Sequence, residues 1–283
     1  MPKIVNIPPS IFLAPFVRNY TLLDFNTNEA GLIWPCYSGP EMCLLFFQGA
    51  FPKNLAINYA PSLDQVLTRI WLKGLFTQFK ESWKFKGKYS IFKIQFTPNG
   101  FHSLFELPLK EFKDKIVDAQ AVFGKEILPY CEQLQQAQTI HEMAALTDEF
   151  LKSYVVQRKL SSTKKSVALV CNAIVQSNCA ISIEEYAAMA KMSIRNFERN
   201  FIKQVGTTPK VFCRLLRFHR AIQTKLINPS KCWTSIALDC DYYDQMHMIR
   251  DFKKIAGISP TGLFENNYPS SLRIKNVKRS IAI

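Results

Sequence analysis

Arg199-Asn200-Phe201-Ile202-Lys203-Gln204-Val205-Gly206-Thr207-Thr208-Pro209 is followed, 51 residues on, by Arg250-Asp251-Phe252-Lys253-Lys254-Ile255-Ala256-Gly257-Ile258-Ser259-Pro260. The two share R-x-F-x-K-x-x-G-x-[ST]-P, so one supersecondary unit has been built twice. Each copy ends a helix that keeps cations and apolar residues on different faces. Two such helices are suited to reading two successive stretches of DNA.

Local chemistry defines what each unit is. Ser182 and Glu185 form a capping box, opening a helix over about 183–190 with Ile183, Tyr186, Ala187 and Ala190 turned inward. After a short turn through Lys191-Met192, Ser193 caps a second helix with Phe197 and Phe201 on one face. Gly206 ends it in the left-handed conformation, and Thr208-Pro209 starts the next helix with a hydroxyl cap and a proline at the first position. This is a helix-turn-helix unit over about 182–206, whose second helix is the one that enters a major groove.

A second unit, about 234–257, repeats the plan less cleanly. Thr234 to Leu238 forms its short first helix, and Asp244 caps a second with Met248 and Phe252 inward and Arg250 outward. Gly257 ends that helix, and Ser259-Pro260 opens another. One long helix from Pro209 to about Ile227 joins the units, with Arg214, Arg217, Arg220 and Lys225 expected on its exposed side.

On these residues, 165–266 resemble the DNA-binding domain of the AraC/XylS transcription regulators. The resemblance implies two helix-turn-helix units on a joining helix, with both recognition helices on one DNA face. The second unit departs from the family pattern: Asp241-Tyr242 stands where the family has Gly-Phe, and Met246-His247-Met248 where it has Ser-His-Phe.

Charge divides the chain in the same place. Residues 161–283 hold 19 lysines and arginines against 8 acidic residues, +11 of the total +14. The first 160 residues hold 17 against 14, only +3. A basic domain beside a nearly neutral one is the footprint of a nucleic-acid binder. We therefore expect two domains, 1–160 for sensing or dimerisation and 161–283 for DNA.

Side chains that read bases must lie outward near the start of each second helix. In the first these are Arg195, Asn196, Glu198 and Arg199, with the arginines suited to bidentate contact with guanine and Glu198 to accepting from cytosine. In the second they are Gln245, Met246, Ile249 and Arg250; Gln245 suits adenine, and Met246 or Ile249 a thymine methyl. Arg199 and Arg250 have an alternative, to serve the backbone or an internal acidic partner such as Asp251 or Glu198. Lys203, Arg217, Lys253 and Lys254 are expected on phosphates, which orient a protein without choosing sequence.

The first 160 residues read as strands with turn signals, then helices. Strands are expected at Cys43–Gln48, Gln65–Leu75 and Ser90–Phe96; the last alternates Ile91, Lys93, Gln95 with Phe92, Ile94, Phe96 and looks half-buried. Helices are expected at Phe101–Leu107, Leu109–Lys115 and as a pair over Ile127–Val156, before a polar linker, Ser161–Lys165. Leu13-Ala14-Pro15-Phe16-Val17-Arg18, Phe96-Thr97-Pro98-Asn99-Gly100-Phe101 and Phe123-Gly124 resemble the domain found ahead of AraC-type units in a set of bacterial regulators. That resemblance implies a degenerate cupin-like β-barrel with helices, and an α+β protein overall.

No catalytic arrangement, cofactor motif or metal-ligand spacing stands out, so we expect no enzyme, no cofactor and no metal. The four histidines are scattered, and His102 reads as a cap or a packed residue. The eight cysteines show no paired spacing and read mostly as buried thiols in a reducing cytosol. Neither a signal peptide nor a long apolar run appears, so a soluble, cytoplasmic protein without a membrane partner is expected. The aromatic-rich front half suits either a filled barrel used for homodimerisation or a pocket for a small apolar or aromatic effector.

Three function classes follow: a DNA-binding transcriptional regulator, usually an activator and so a partner of RNA polymerase; a repair enzyme with a nucleophilic cysteine fused to a DNA-binding domain; or a nucleoid-type protein without sequence choice. Cys36, between Pro35 and Tyr37, lacks the cationic neighbour that the second would need.

Overall fold

Alternation of side chains decides the front half, because a strand covered on one face alternates apolar with polar and a strand covered on both does not. Cys43-Leu44-Leu45-Phe46-Phe47 does not alternate, and all five residues are buried. The structure, a computed structural model, describes residues 3–27, 31–36, 39–49, 53–54, 68–79, 81–156, 162–177, 179 and 181–267. The strands are β1 (Lys3–Ile7), β2 (Val17–Asn26), β3 (Leu32–Cys36), β4 (Cys43–Gly49), β5 (Lys53–Asn54), β6 (Ile70–Lys73), β7 (Glu81–Phe85), β8 (Lys88–Phe96) and β9 (Ile116–Asp118). A six-stranded antiparallel sheet runs β1-β2-β8-β4-β6-β9, and a smaller one runs β3-β7-β5.

Strand β4 lies inside the larger sheet, paired on both edges by β8 and β6. Its Leu44 and Phe46 join a core shared with the helices α1 (Gly100–Phe105), α2 (Ala119–Phe123), α3 (Ile127–Gln136) and α4 (Ile140–Val156). Cys43, Leu45 and Phe47 face the other way, into a layer shared with Trp83 and Phe85 of β7. Aromatic rings fill that layer: Phe47 meets Trp71 at 4.9 Å, Trp71 meets Trp83 at 5.9 Å, and Phe85 meets Tyr89 at 4.9 Å between centroids. Offset and edge-to-face pairs at these distances add to the gain from burial.

This second layer corrects the reading of β8 as half-buried. Ile91 and Gln95 are both buried, on the side expected to be open. The Gln95 NH2 donates to Glu41, which also accepts from Arg18, while the Gln95 Oε1 is buried without a hydrogen-bond partner among the described residues. Leu109–Lys115 is likewise not a helix; only a 3-10 turn forms, Leu109–Phe112. The expected strand Gln65–Leu75 shrinks to β6 where it can be followed, and residues 65–67 lie outside the described residues. Two stretches distant in sequence meet here: Thr97 donates its N–H to the Phe16 carbonyl at 2.9 Å and its hydroxyl to the Pro15 carbonyl at 3.0 Å.

Among the described residues the back half is helical: α5 (Ser162–Gln176), α6 (Ile183–Met189), α7 (Ile194–Val205), α8 (Pro209–Ile227), α9 (Trp233–Asp239), α10 (Gln245–Ala256) and α11 (Pro260–Gly262). From Ser162 onward the expected polar linker is the start of α5, whose Val167, Val170, Cys171 and Ile174 are buried. Ser161 lies outside the described residues, as does the tail from residue 268. One apolar core gathers α5 to α10, with Phe197, Phe201, Phe212, Phe218 and Phe252 all fully buried. The α+β arrangement read from the sequence is the one found.

Arg214, Arg217 and Arg220 are half-buried rather than exposed, because each reaches from α8 to the second unit. Arg214 lies 4.0 Å from Asp251. Arg220 donates to Asp241 at 2.9 Å and to the Asp239 carbonyl. Lys225, also half-buried, donates to the Lys231 carbonyl at 2.8 Å and covers the Trp233 ring.

Candidate nucleic-acid interface

Helix ends place the side chains expected to read bases. Ser182 accepts from the Glu185 N–H while Glu185 accepts from the Ser182 N–H, which completes the capping box on α6. The Ser182 N–H, followed by its hydroxyl, holds the Glu185 carboxyl below its usual range. Ser193 caps α7 by accepting from Asn196, Asp244 caps α10 by accepting from His247, and Thr208 and Ser259 cap the helices opened by Pro209 and Pro260. Gly206 and Gly257 end α7 and α10 at φ of 91° and 74°. The duplication is therefore structural as well as textual. Each repeat carries a capped helix, a left-handed glycine and a second cap in the same order.

Both helices lean on α8. The repeated phenylalanines, Phe201 and Phe252, are fully buried, while the repeated arginines, Arg199 and Arg250, are exposed. On α7, Arg195, Glu198 and Arg199 are exposed and Asn196 is half-buried. Asn196 Oδ1 accepts from Arg199 at 3.0 Å and from Asn200 at 3.0 Å, so Asn196 aims a neighbouring guanidinium as well as offering its own edge. On α10, Met246 and Arg250 are exposed, and Gln245 and Ile249 are half-buried. Thr234 donates to Gln245 Oε1 at 2.6 Å, which engages the amide oxygen and leaves the NH2 as the donor.

The internal acidic partner considered for the repeated arginines is taken by another residue. Asp251 is buried and faces Arg214, and burial pushes its carboxyl pKa up against the pull of Arg214 and Arg217. Arg250 instead donates to the Met246 carbonyl at 3.4 Å within its own helix. Lys203, Lys253 and Lys254 are exposed in the last turns of α7 and α10. Arg217 has an internal task that the lysines lack: it donates to the Asp241 carbonyl at 3.3 Å and lies 5.2 Å over the Tyr242 ring.

Two side chains on this surface escape the helical-face argument. Tyr243, immediately before the α10 cap, is 90% exposed, and Ile194, at the first position of α7, is 42% exposed. Their position beside Asp244 and Ser193 was the available signal, since residues flanking an N-cap sit at the end of the helix that meets the groove.

The first unit also touches the front domain. The Leu109–Phe112 turn and α1 pack on α7. Asn99 donates to Gln204 at 3.4 Å, and Leu75 enters the core of the back domain. His102 is buried beside this junction, with the Leu107 carbonyl 2.7 Å from its Nδ1. Among the described residues no group of three or more His, Cys, Asp or Glu is placed to hold a metal ion. Nor, among them, is any helix long and apolar enough to cross a membrane.

Residues 186–266 match the family model described as a helix-turn-helix domain, and residues 5–118 match a domain of unknown function, DUF6597. Among curated proteins none matches the sequence. Solved structures with a similar course include ToxT from Vibrio cholerae O395, 10% identical, covering 91% of this chain and 99% of that one with a TM-score of 0.44. Another is wild-type ToxT from Vibrio cholerae strain SCE256 with an unsaturated fatty acid bound, 10% identical, covering 85% and 92%, TM-score 0.43. The AraC-like transcriptional activator CuxR is 10% identical over 78% of this chain and 86% of that one, with a TM-score of 0.25.

Proposed function

We propose that residues 186–266, which match a helix-turn-helix family model, form a DNA-binding module of the AraC type, and that the protein is a sequence-specific regulator whose α7 and α10 enter successive major-groove segments. The observation that carries the reading is the repeated division of labour on those helices: phenylalanine inside, arginine outside, cap at one end and glycine at the other. Two readers joined through one α8 suit two groove segments about 10 base pairs apart.

Arg195 and Arg199 are the guanine readers of the first helix, with Asn196 setting the aim of Arg199 and Glu198 available to cytosine. Gln245, Met246, Ile249 and Arg250 form the corresponding set of the second, joined by Tyr243. Lys203, Lys253 and Lys254 take phosphates; Arg217 adds its charge from beneath. The domain limits of 1–160 and 161–283 follow the change in charge and the separate apolar cores. The front domain, which packs on α7, controls the reader either by binding a second copy or by holding a small apolar or aromatic effector, and an activator of this kind would meet RNA polymerase.

A pair of substitutions separates reading from anchoring. Arg195→Ala is expected to weaken the specific site by about 1–3 kcal/mol and leave random DNA almost unchanged. Lys254→Ala is expected to weaken both alike and to flatten the plot of log affinity against log salt by about 0.9. Titrations of both variants on operator and random duplexes at several salt concentrations make the test. Equal losses on the two duplexes for Arg195→Ala would remove it from the reading set.

A further inference from the structure

Helices α7 and α10 stand in the same register but carry opposite chemistry. Ser193 caps α7 and Asp244 caps α10, each accepting from the backbone N–H three residues on, that of Asn196 and of His247. The 51-residue offset therefore sets Met246 at the place of Arg195 and Ile249 at the place of Glu198. On α7 that pair is charged and exposed. On α10 it is apolar, with Met246 60% exposed and Ile249 half-buried. The two lie three apart on one helical face, and the exposed Tyr243 sits just outside the cap.

An apolar pair in a major groove has few partners. Set against guanine or cytosine, it would cover hydrogen-bonding edges without pairing them, which costs those groups their hydration. The apolar group that base edges present there is the thymine C5-methyl. Gln245, at the start of the same helix, has its amide oxygen engaged by the Thr234 hydroxyl. Glutamine pairs with adenine through both ends of its amide, whereas the NH2 alone suits the thymine O4. Arg250 stands where Arg199 stands, but its Nε turns back to the Met246 carbonyl at 3.4 Å. Asn196, which aims Arg199 on the first helix, has His247 at its place on the second.

We propose that α10 selects a thymine-rich segment, with Met246 and Ile249 on the methyls of neighbouring thymines and the Gln245 NH2 on a thymine O4. Tyr243 adds apolar cover at the start of the helix. Guanine and cytosine fall to α7, through Arg195, Arg199 and Glu198. The two halves of the site thus differ in kind: one is read by charge and hydrogen bonds, the other by apolar contact. This assignment rests on the reading that α10 enters a major groove, and it names the bases that α10 takes there. A methyl contact carries no charge, so its share of the affinity stays constant with salt while the phosphate share falls.

Selection of sites from a pool of random duplexes by the full-length protein begins the test. The selected duplex is then rebuilt with dU for dT at one position at a time, which deletes a methyl and leaves the protein untouched. The expected result is a site of two halves, of which one is rich in thymine. Each contacted dU there should lower affinity about fourfold, the worth of one methyl-sized group removed from contact, by the same factor at low and high salt. Met246→Ala should abolish the penalty at one of those positions and relax selection in that half alone. A discrete site in which dU is tolerated at every position would overturn the proposal and leave sequence-specific reading intact. So would Met246→Ala relaxing selection at a guanine or cytosine. A pool that yields no discrete site would overturn the reading itself, and this proposal with it.

Discussion

Phe201→Ala and Phe252→Ala are each expected to cost about 3–5 kcal/mol, the range for emptying a fully buried phenylalanine site. The two residues hold the same place in the repeat, and both are 0% exposed. Phe201 meets Phe197 at 5.6 Å and Phe212 of α8 at 5.7 Å, so its loss detaches α7 from α8. Phe252 meets Phe218 of α8 at 4.7 Å and Trp233 of α9 at 5.9 Å, and its loss detaches α10 in the same way. Denaturant melts of the two variants check the expectation. Losses of similar size would show that the repeated phenylalanines do the same work. A cost below about 1 kcal/mol at either would mean that its helix is held by something else, since core truncations of this size exceed that value.

Gly74→Ala comes next in size. An added Cβ there would lie 1.8 Å from the Phe112 carbonyl oxygen and 2.7 Å from its carbon, both backbone atoms that cannot swing aside. Gly74 also donates to the Lys115 carbonyl at 3.0 Å, and Leu75 accepts from Asp114 at 2.8 Å, so this strand end and the 3-10 turn are tied together. Moving the turn displaces Leu109, whose carbonyl oxygen lies 3.1 Å from where a Cβ on Gly206 would be. The expected loss is about 3 kcal/mol, the upper part of the range for overpacking. Fluorescence-detected unfolding would measure it. Gly257→Ala supplies the contrast: a Cβ there meets nothing within 4 Å, so only the cost of a left-handed alanine remains, about 1 kcal/mol.

Capping chemistry was the legible part of this protein. Ser182 with Glu185, Ser193, Thr208-Pro209, Asp244 and Ser259-Pro260 each sit where local hydrogen bonding requires, because a cap depends on residues no more than three apart. The outward faces of α7 and α10 were legible for the same reason, being fixed by helical period. What escaped was set by contacts between distant segments. Arg214 looks like a surface residue on α8 until α10 brings Asp251 against it. Ile91 looks like the open face of a strand until Trp83 and Phe85 of the β3-β7-β5 sheet cover it. Leu109–Lys115 has helical residues but is held to a 3-10 turn by Gly74 and Leu75. Strand β2 hides its period in Leu22-Leu23, since β1 and β8 pair on its edges and both faces carry apolar residues.

Footprinting of the intact protein on genomic fragments tests the central reading most directly. Two groove readers joined through α8 predict a discrete protected site of about 20 base pairs, with two protected major-groove segments one helical turn apart. Uniform weak protection along every fragment, unchanged by Arg195→Ala, would contradict it.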